Sequence, residues 1–244
     1  MGNLKITVEY DGTNYHGWQL QKNIEPTIQQ KLEEALTLIN KSHVRIHGAG
    51  RTDAGVHAIN QVANFNLDVD IPVENIPKAV NSILPDDIIC KKAKSVPENF
   101  HARYCSRGKK YRYRILNRSY SSVFVRNFVY NIYQKLNFTK IRNVLSQIKG
   151  THDFASFQAK GSGIMNTVRT IEEIKLYEKD FEYWIEIKGN GFLYNMVRII
   201  VGTLIEIGLD KRPPDLKSIL EQKNRRSAGF TAPAKGLTLV EVYY

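Results

Sequence analysis

Apolar and polar residues alternate through Leu4, Lys5, Ile6, Thr7, Val8, Glu9 and Tyr10, then stop at Asp11-Gly12, which predicts a strand closed by a turn. A helical spacing follows. Ile28, Leu32, Ala35, Leu36 and Ile39 recur every three or four residues, and Thr27 with Gln30 has the pattern of a capping box at the start. A strand through Val44-Arg45-Ile46 runs into residues 48–58. A second covers 61–67, residues 74–84 read as helix, and 87–96 as extended chain. The same kinds of element recur further on. Residues 110–116 alternate as a strand, and Ile141, Val144, Leu145 and Ile148 mark a helix that ends at Gly150. Residues 170–189 read as a hairpin turning near Lys179-Asp180. Residues 192–207 are apolar nearly all round, as a buried helix is. A short helix over 215–223 and a strand over 237–244 close the chain.

Strands joined hairpin-fashion, with helices between them, predict an α+β fold: mainly antiparallel sheet flanked by helices. The content of 1–102 resembles that of 103–244, so two pseudo-duplicated halves are expected, although no residue-level repeat is visible. The chain of 244 residues is long enough for either one large core or two of ordinary size.

Charge separates the halves more sharply than the pattern does. Residues 1–102 carry 10 Lys and Arg against 12 Asp and Glu, whereas 103–244 carry 25 against 12. Between Glu98 and Asp153 there are 12 cations and no acid. A basic surface of that extent suits a polyanion, most simply a nucleic acid. Cys90 and Cys105 stand alone, with neither disulfide nor zinc spacing, which fits a reducing compartment. MGNLKITVEYDG enters a strand directly, without a signal-peptide pattern, and Ile6 stands where myristoylation wants Ser or Thr. The most apolar run, 196–209, is too short for a bilayer and contains Arg198 and Glu206. A cytoplasmic protein without membrane association is expected.

Three stretches could carry chemistry. In GAGRTDAGVHA (48–58), small residues surround Arg51-Thr52-Asp53. Such an aspartate often only caps its own turn. Here Arg51 lies two residues away, and the small neighbours leave room for a planar ligand. In GNGFLYNMVRIIVG (189–202), Arg198 falls inside the apolar helix and shares a face with Gly202. It either snorkels to water or needs a carboxylate or phosphate partner, and Asp53 is one candidate. In FHARYCSRGKKYRYRI (100–115), Tyr111, Tyr113 and Ile115 share one strand face, and Lys110, Arg112 and Arg114 the other. Rings that stack bases beside cations that hold phosphates suit an RNA binder, while a half-buried strand needs at least one of those tyrosines for its core. No metal-ligand spacing, Walker loop or nucleophile elbow occurs. Gly161-Ser162-Gly163 is a lone glycine-rich loop of little specificity.

YDGTNYHGWQ (10–19), GAGRTDAGVHA (48–58), FHARYCSRGKKYRY (100–113), GTHDFASF (150–157), GFLYNMVRIIVG (191–202) and GLTLVEVYY (236–244) occur in one order along the chain. In these motifs, over nearly its whole length, the sequence resembles the tRNA pseudouridine synthase A family, with GRTDAGVH the most specific. The resemblance implies the pseudouridine synthase fold and isomerisation of uridine to pseudouridine in the anticodon arm of tRNA, at nucleotides 38 to 40. It also implies a homodimer and no cofactor or metal. Matched residue by residue, Asp53 is the catalytic aspartate, Tyr111 the ring that stacks on the uracil, Arg198 the basic partner of the aspartate, and Arg51 the arginine that helps turn the base out. Lys109, Lys110 and Arg112 are the further RNA contacts expected. The chemistry breaks N1–C1′, rotates the uracil and rejoins it through C5, so it is redox-neutral and one carboxylate suffices. A nucleosidase would want a second carboxylate beside the first. An RNA binder without catalysis would need no buried Asp–Arg pair. Free base, pseudouridine or no product from a tRNA substrate separates the three.

Overall fold

A computed structural model describes residues 2–161, 163 and 165–244. Ser162 of the glycine-rich loop lies outside the described residues. The chain divides into two compact units, Met1–Arg107 with Thr238–Tyr244, and Gly108–Leu237. Among the described residues no helix is long and apolar enough to cross a membrane.

The first unit begins with β1 (Asn3–Tyr10), α1 (Ile28–Asn40), β2 (His47–Gly48), β3 (His57–Asn66), α2 (Ile76–Asn81) and β4 (Ile88–Ser95). β1 is the middle strand, antiparallel to β3 on one side and to β4 on the other, with Ile6 opposite Ala63 and Ala93. Its alternation is physical: Leu4, Ile6, Val8 and Tyr10 are buried, and Glu9 is exposed. α1 buries Ile28, Leu32, Ala35 and Leu36, while α2 packs on β4 and α1.

The capping box of α1 forms by half. Thr27 accepts from the Gln30 backbone N–H at 3.3 Å, but the Gln30 side chain turns down the helix to Glu34. The strand expected at Val44–Ile46 is also absent. Val44 and Ile46 are buried on either side of an exposed Arg45, so the alternation is real. Their N–H groups, however, go to side chains of α1: Val44 N to Thr37 Oγ1 at 3.1 Å and Ile46 N to Glu33 Oε1 at 3.0 Å. Sheet pairing starts only at β2, where His47 lies opposite Asn64.

The second unit contains β5 (Gly108–Asn117), β6 (Tyr130–Ile132), α3 (Phe138–Val144), β7 (Gly150–Asp153), β8 (Val168–Lys179), β9 (Glu182–Gly189), α4 (Met196–Gly208) and α5 (Leu216–Gln222). β8 and β9 form the expected hairpin, with Asp180 at φ 56° in its turn. β9 continues antiparallel to β5, β7 pairs antiparallel with β8, and β6 runs parallel to the end of β5. α4 is buried along nearly its whole length and packs on α3 and β5. It begins four residues later than its hydrophobicity suggests, because Asn195 takes a left-handed conformation at φ 59° just before it. The last strand, β10 (Leu237–Tyr243), returns to the first unit and pairs parallel with β3 at Thr238↔His57 and Leu239↔Ala58. The fold is therefore α+β with mostly antiparallel pairing, while β3–β10 and β5–β6 are parallel. The structural division falls at Arg107/Gly108 rather than 102/103, and the closing strand joins the unit that opens the chain.

Glu33 is 5% exposed and also accepts from Gln29 Nε2 at 2.8 Å. Glu33→Ala strands the Ile46 N–H and is expected to cost about 1–3 kcal/mol, read as a lower urea midpoint with an unchanged slope. A wild-type midpoint would mean that water replaces the carboxylate without loss.

Candidate active site

In the first unit, the loop after β1 and the loop before β3 lie against one another. Asp11 Oδ1 accepts from the Thr13 backbone N–H at 2.9 Å, turning the chain, and Gly12 N donates to His57 Nδ1 at 3.0 Å. A side chain at Gly12 would place its Cβ 2.0 Å from the Val56 carbonyl oxygen. Gly17, at φ +86°, passes so near that a Cβ there would lie 2.5 Å from Thr52 O and 3.0 Å from the Asp53 carbonyl carbon. Only glycine fits both demands at Gly17: a left-handed backbone and no side chain.

Thr52 is the fixed point of the turn. Its carbonyl accepts from Trp18 N at 3.0 Å, and its hydroxyl lies 2.8 Å from the Tyr10 hydroxyl, both groups buried. Next to it, Val56 N donates to Asp53 O at 3.1 Å and Gly55 N to Tyr15 O at 3.3 Å. Upstream, Gln61 Nε2 holds Gly50 O at 2.9 Å. Asp53 therefore stands half-exposed on a turn whose backbone is tied before, at and after it. The glycine loop also anchors α1, whose first N–H groups donate to Gly17 O and Trp18 O at 3.1 and 2.9 Å.

Arg51 is exposed, and its Nε donates to Gln19 Oε1 at 3.2 Å. Gln19 passes the contact to Gln29 at 2.6 Å, and Gln29 to Glu33. A side-chain relay thus runs from Arg51 into the buried face of α1. The sequence singled out Arg51 but not Gln19 or Gln29. Their place in GWQ and at the second position of the helix gave no signal of a shared bond.

In the second unit, the two tyrosines of β5 divide as the half-buried strand requires. Tyr113 is fully buried and donates to Pro233 O at 2.8 Å. Burial drives its hydroxyl pKa well above the ordinary tyrosine value, and nearby Arg198 only partly opposes this. Tyr111, two residues earlier on the same face, keeps 8% exposure and meets the Phe192 ring edge-on at 5.2 Å and 87°. One ring belongs to the core, and the other stands at its margin.

The opposite face of β5 is partly offset from β9, two carboxylates meeting three cations. Lys110 Nζ lies 2.5 Å from Glu186 Oε2 and Arg112 Nη2 lies 2.6 Å from Glu186 Oε1, while Arg114 pairs with Glu182 at 2.5 Å. Burial works against the Glu186 charge, but the bonds from Lys110 and Arg112 outweigh it and hold the carboxyl below its usual range. The guanidinium of Arg112 also covers the Trp184 ring at 4.2 Å. The cations expected on phosphates at Lys110 and Arg112 are thus engaged inside the sheet. Their partners lie some 70 residues away, which strand alternation could not reveal.

Arg198, expected to be buried, is half-buried in the first turn of α4. Its Nε donates to Ala232 O at 2.8 Å and its Nη1 to Asn195 Oδ1 at 2.7 Å, and Ala232 N returns a bond to Arg198 O at 3.1 Å. The segment 229–232 comes this close because Gly202 has no side chain: a Cβ there would sit 1.8 Å from Phe230 O. Thr203 completes the clasp by accepting from Gly229 N at 2.8 Å while donating to Ile199 O. The sequence pointed to Gly202 beside Arg198. The carbonyl of Ala232 and the side chain of Asn195 were invisible to spacing.

With this geometry in place, the comparisons with known proteins are specific. A family model described as tRNA pseudouridine synthase matches residues 6–105 and 144–244. The tRNA pseudouridine synthase A of Acetivibrio thermocellus is 48% identical over 245 residues, covering the whole of both chains. That of Thermoanaerobacter sp. (strain X514) is 47% identical with the same coverage. Among solved structures, a Cbf5-Nop10-Gar1 complex aligns over 96% of this chain and 57% of that one, at 14% identity and a TM-score of 0.38, too low a likeness to reason from. Tyr111 falls in the stretch between the two matched segments.

Gly202→Ala is expected to drive residues 229–232 off α4, costing about 1–3 kcal/mol or more from overpacking. Thermal denaturation measures the loss. A melting temperature equal to wild type would show that the segment yields freely.

Proposed function

The chain belongs to the tRNA pseudouridine synthase family and is an isomerase of tRNA uridine, and from that premise we propose that it acts in the anticodon arm, at nucleotides 38 to 40, with Asp53 as the catalytic carboxylate. The observation that carries this reading is the setting of Asp53. A carboxylate that attacks or deprotonates must be reachable by substrate and held in place, since a misplacement of about 1 Å can cost a factor of about 100 in rate. Asp53 is half-exposed, while Thr52 beside it is buried and bonded through both its carbonyl and its hydroxyl.

The roles of the other residues follow the family resemblance. Tyr111 stacks on the uracil, for which a ring at the margin of the core is suited. Arg198 serves as the basic partner of the aspartate, and its fixing by Ala232 and Asn195 supports a positioned rather than a wandering cation. Arg51, exposed and steadied by Gln19, fills the space that the flipped base leaves. The carboxylate serves the isomerisation either by adding to C6 of uracil or by acting on the ribose. Neither route needs an external oxidant or reductant, in keeping with a reaction that uses no cofactor.

Phosphate binding falls to the cations of the second half, including Lys110 and Arg112, which share the single charge of Glu186. Lys109 belongs to that set, with Arg103, Arg107, Arg126, Arg142 and Lys149, all exposed apart from Lys109. Backbone contacts position an RNA without reading its sequence, which supports acceptance of neighbouring uridines in one arm. A homodimer and a cytoplasmic location complete the proposal.

Asp53→Asn is expected to abolish pseudouridine formation in tRNA transcripts while leaving tRNA affinity near wild type, because affinity rests on many phosphate contacts. Turnover above trace level, with reversion to aspartate excluded by mass spectrometry, would remove Asp53 from the chemistry.

A further inference from the structure

The loop between β5 and β6, residues 118–129, presents the most exposed aromatic surface of the second unit. Phe124 is 91% exposed, and Val123 and Tyr120 are 66% and 62% exposed. Exposed apolar side chains are ordinary singly, but a cluster on one loop marks a contact surface. This loop is also built to hold its shape. Arg118 lies over the Tyr120 ring at 4.2 Å and donates to Tyr120 O at 2.9 Å and Ser121 O at 3.3 Å. Arg126 donates to Val123 O at 2.5 Å, and Phe128 N donates to Val125 O at 2.8 Å. The loop then enters β6, where Tyr130 pairs with Ile115 and sets its ring near Phe230, at 6.5 Å. Phe230 lies in the segment that clasps Arg198.

The surrounding charge selects the occupant. Residues 99–152 contain no acid, and among the described residues neither Arg118 nor Arg126 pairs with a carboxylate. Their bonds to loop carbonyls leave the positive charge unneutralised. Two copies meeting face to face through this loop would oppose like charges. Three side chains also offer on the order of 400 Å², well short of the roughly 800 Å² per partner of a stable interface. A single nucleobase with its phosphates fits both features: a flat π surface for the ring, and anions for the flanking cations.

We propose that loop 118–129 is a stacking platform for one unpaired nucleobase of the tRNA other than the uridine that reacts, with Phe124 as the stacking ring and Arg118 and Arg126 contacting the adjoining phosphates. This rests on the tRNA reading given above and extends it to a second point of contact. The loop lies in the stretch that the family model leaves unmatched, so its chemistry has room to set which arm or which tRNA binds best.

The test uses the full-length protein and tRNA transcripts carrying 2-aminopurine at single unpaired positions. Phe124→Ala is expected to weaken tRNA binding roughly 5- to 150-fold, the range for one lost base–aromatic stack. It should also restore the fluorescence that wild-type protein quenches at one position. Phe124→Trp should keep both affinity and quenching. Leu38→Ala, which trims an apolar residue 67% exposed on α1, should leave affinity unchanged. Thermal melts of each variant show that the fold is intact. Wild-type affinity in Phe124→Ala overturns the inference, and so does a Phe124→Ala protein that binds tRNA fully but loses an oligomeric state. Pseudouridine formation by the wild-type protein is followed in parallel. Its absence overturns the functional reading itself, whereas its presence with an unaffected Phe124→Ala overturns only the platform.

Discussion

In the first unit two loops run backbone against backbone, and Gly12 and Gly17 mark the places where a side chain would strike the carbonyls of Val56 and Thr52. The approach lets main-chain groups of one loop satisfy those of the other, as Trp18 N does for Thr52 O. The same loop offers Gly17 O and Trp18 O to the start of α1, so the helix, the turn and β1 are fixed together. Asp53 inherits this rigidity from the turn that holds it, where Thr52 is buried beside it and Val56 N donates to its carbonyl.

The second unit meets a different problem, that of using cations without letting them attract every anion. Glu182 and Glu186 on β9 offset two of the three charges of this face of β5 from the neighbouring strand. Arg198 is oriented in part by a carbonyl and an amide oxygen, those of Ala232 and Asn195. The basic surface suited to RNA also includes exposed cations such as Arg103, Arg107 and Arg126.

Much of this was legible before any coordinates. Alternation located β1, β5 and the β8–β9 hairpin, because each has one buried face. It misread Val44–Ile46 because burial alternates there while the N–H groups bond to Glu33 and Thr37 of a helix, and periodicity reports burial, not bonding. The motif around Asp53 advertised itself by its small residues. The reason for Gly12 and Gly17 did not, since the collision they avoid lies about 40 residues away in the chain. Arg198 was conspicuous as a charge in an apolar helix, whereas its acceptors came from a carbonyl, which every residue possesses, and from Asn195 three residues earlier. The cations of β5 looked available because only a pairing register places Glu186 opposite Arg112.

The central claim is that close approach of the two loops fixes Asp53 for catalysis. Its most direct measurement is single-turnover pseudouridine formation by Gly17→Ala at saturating protein, with folding checked by thermal denaturation. The added methyl group presses on Thr52 O, the Asp53 carbonyl carbon and Ala54 N, so the rate should fall by about 100-fold, the cost of a displacement of about 1 Å, with tRNA affinity near wild type. A folded Gly17→Ala protein turning over at the wild-type rate would contradict the account.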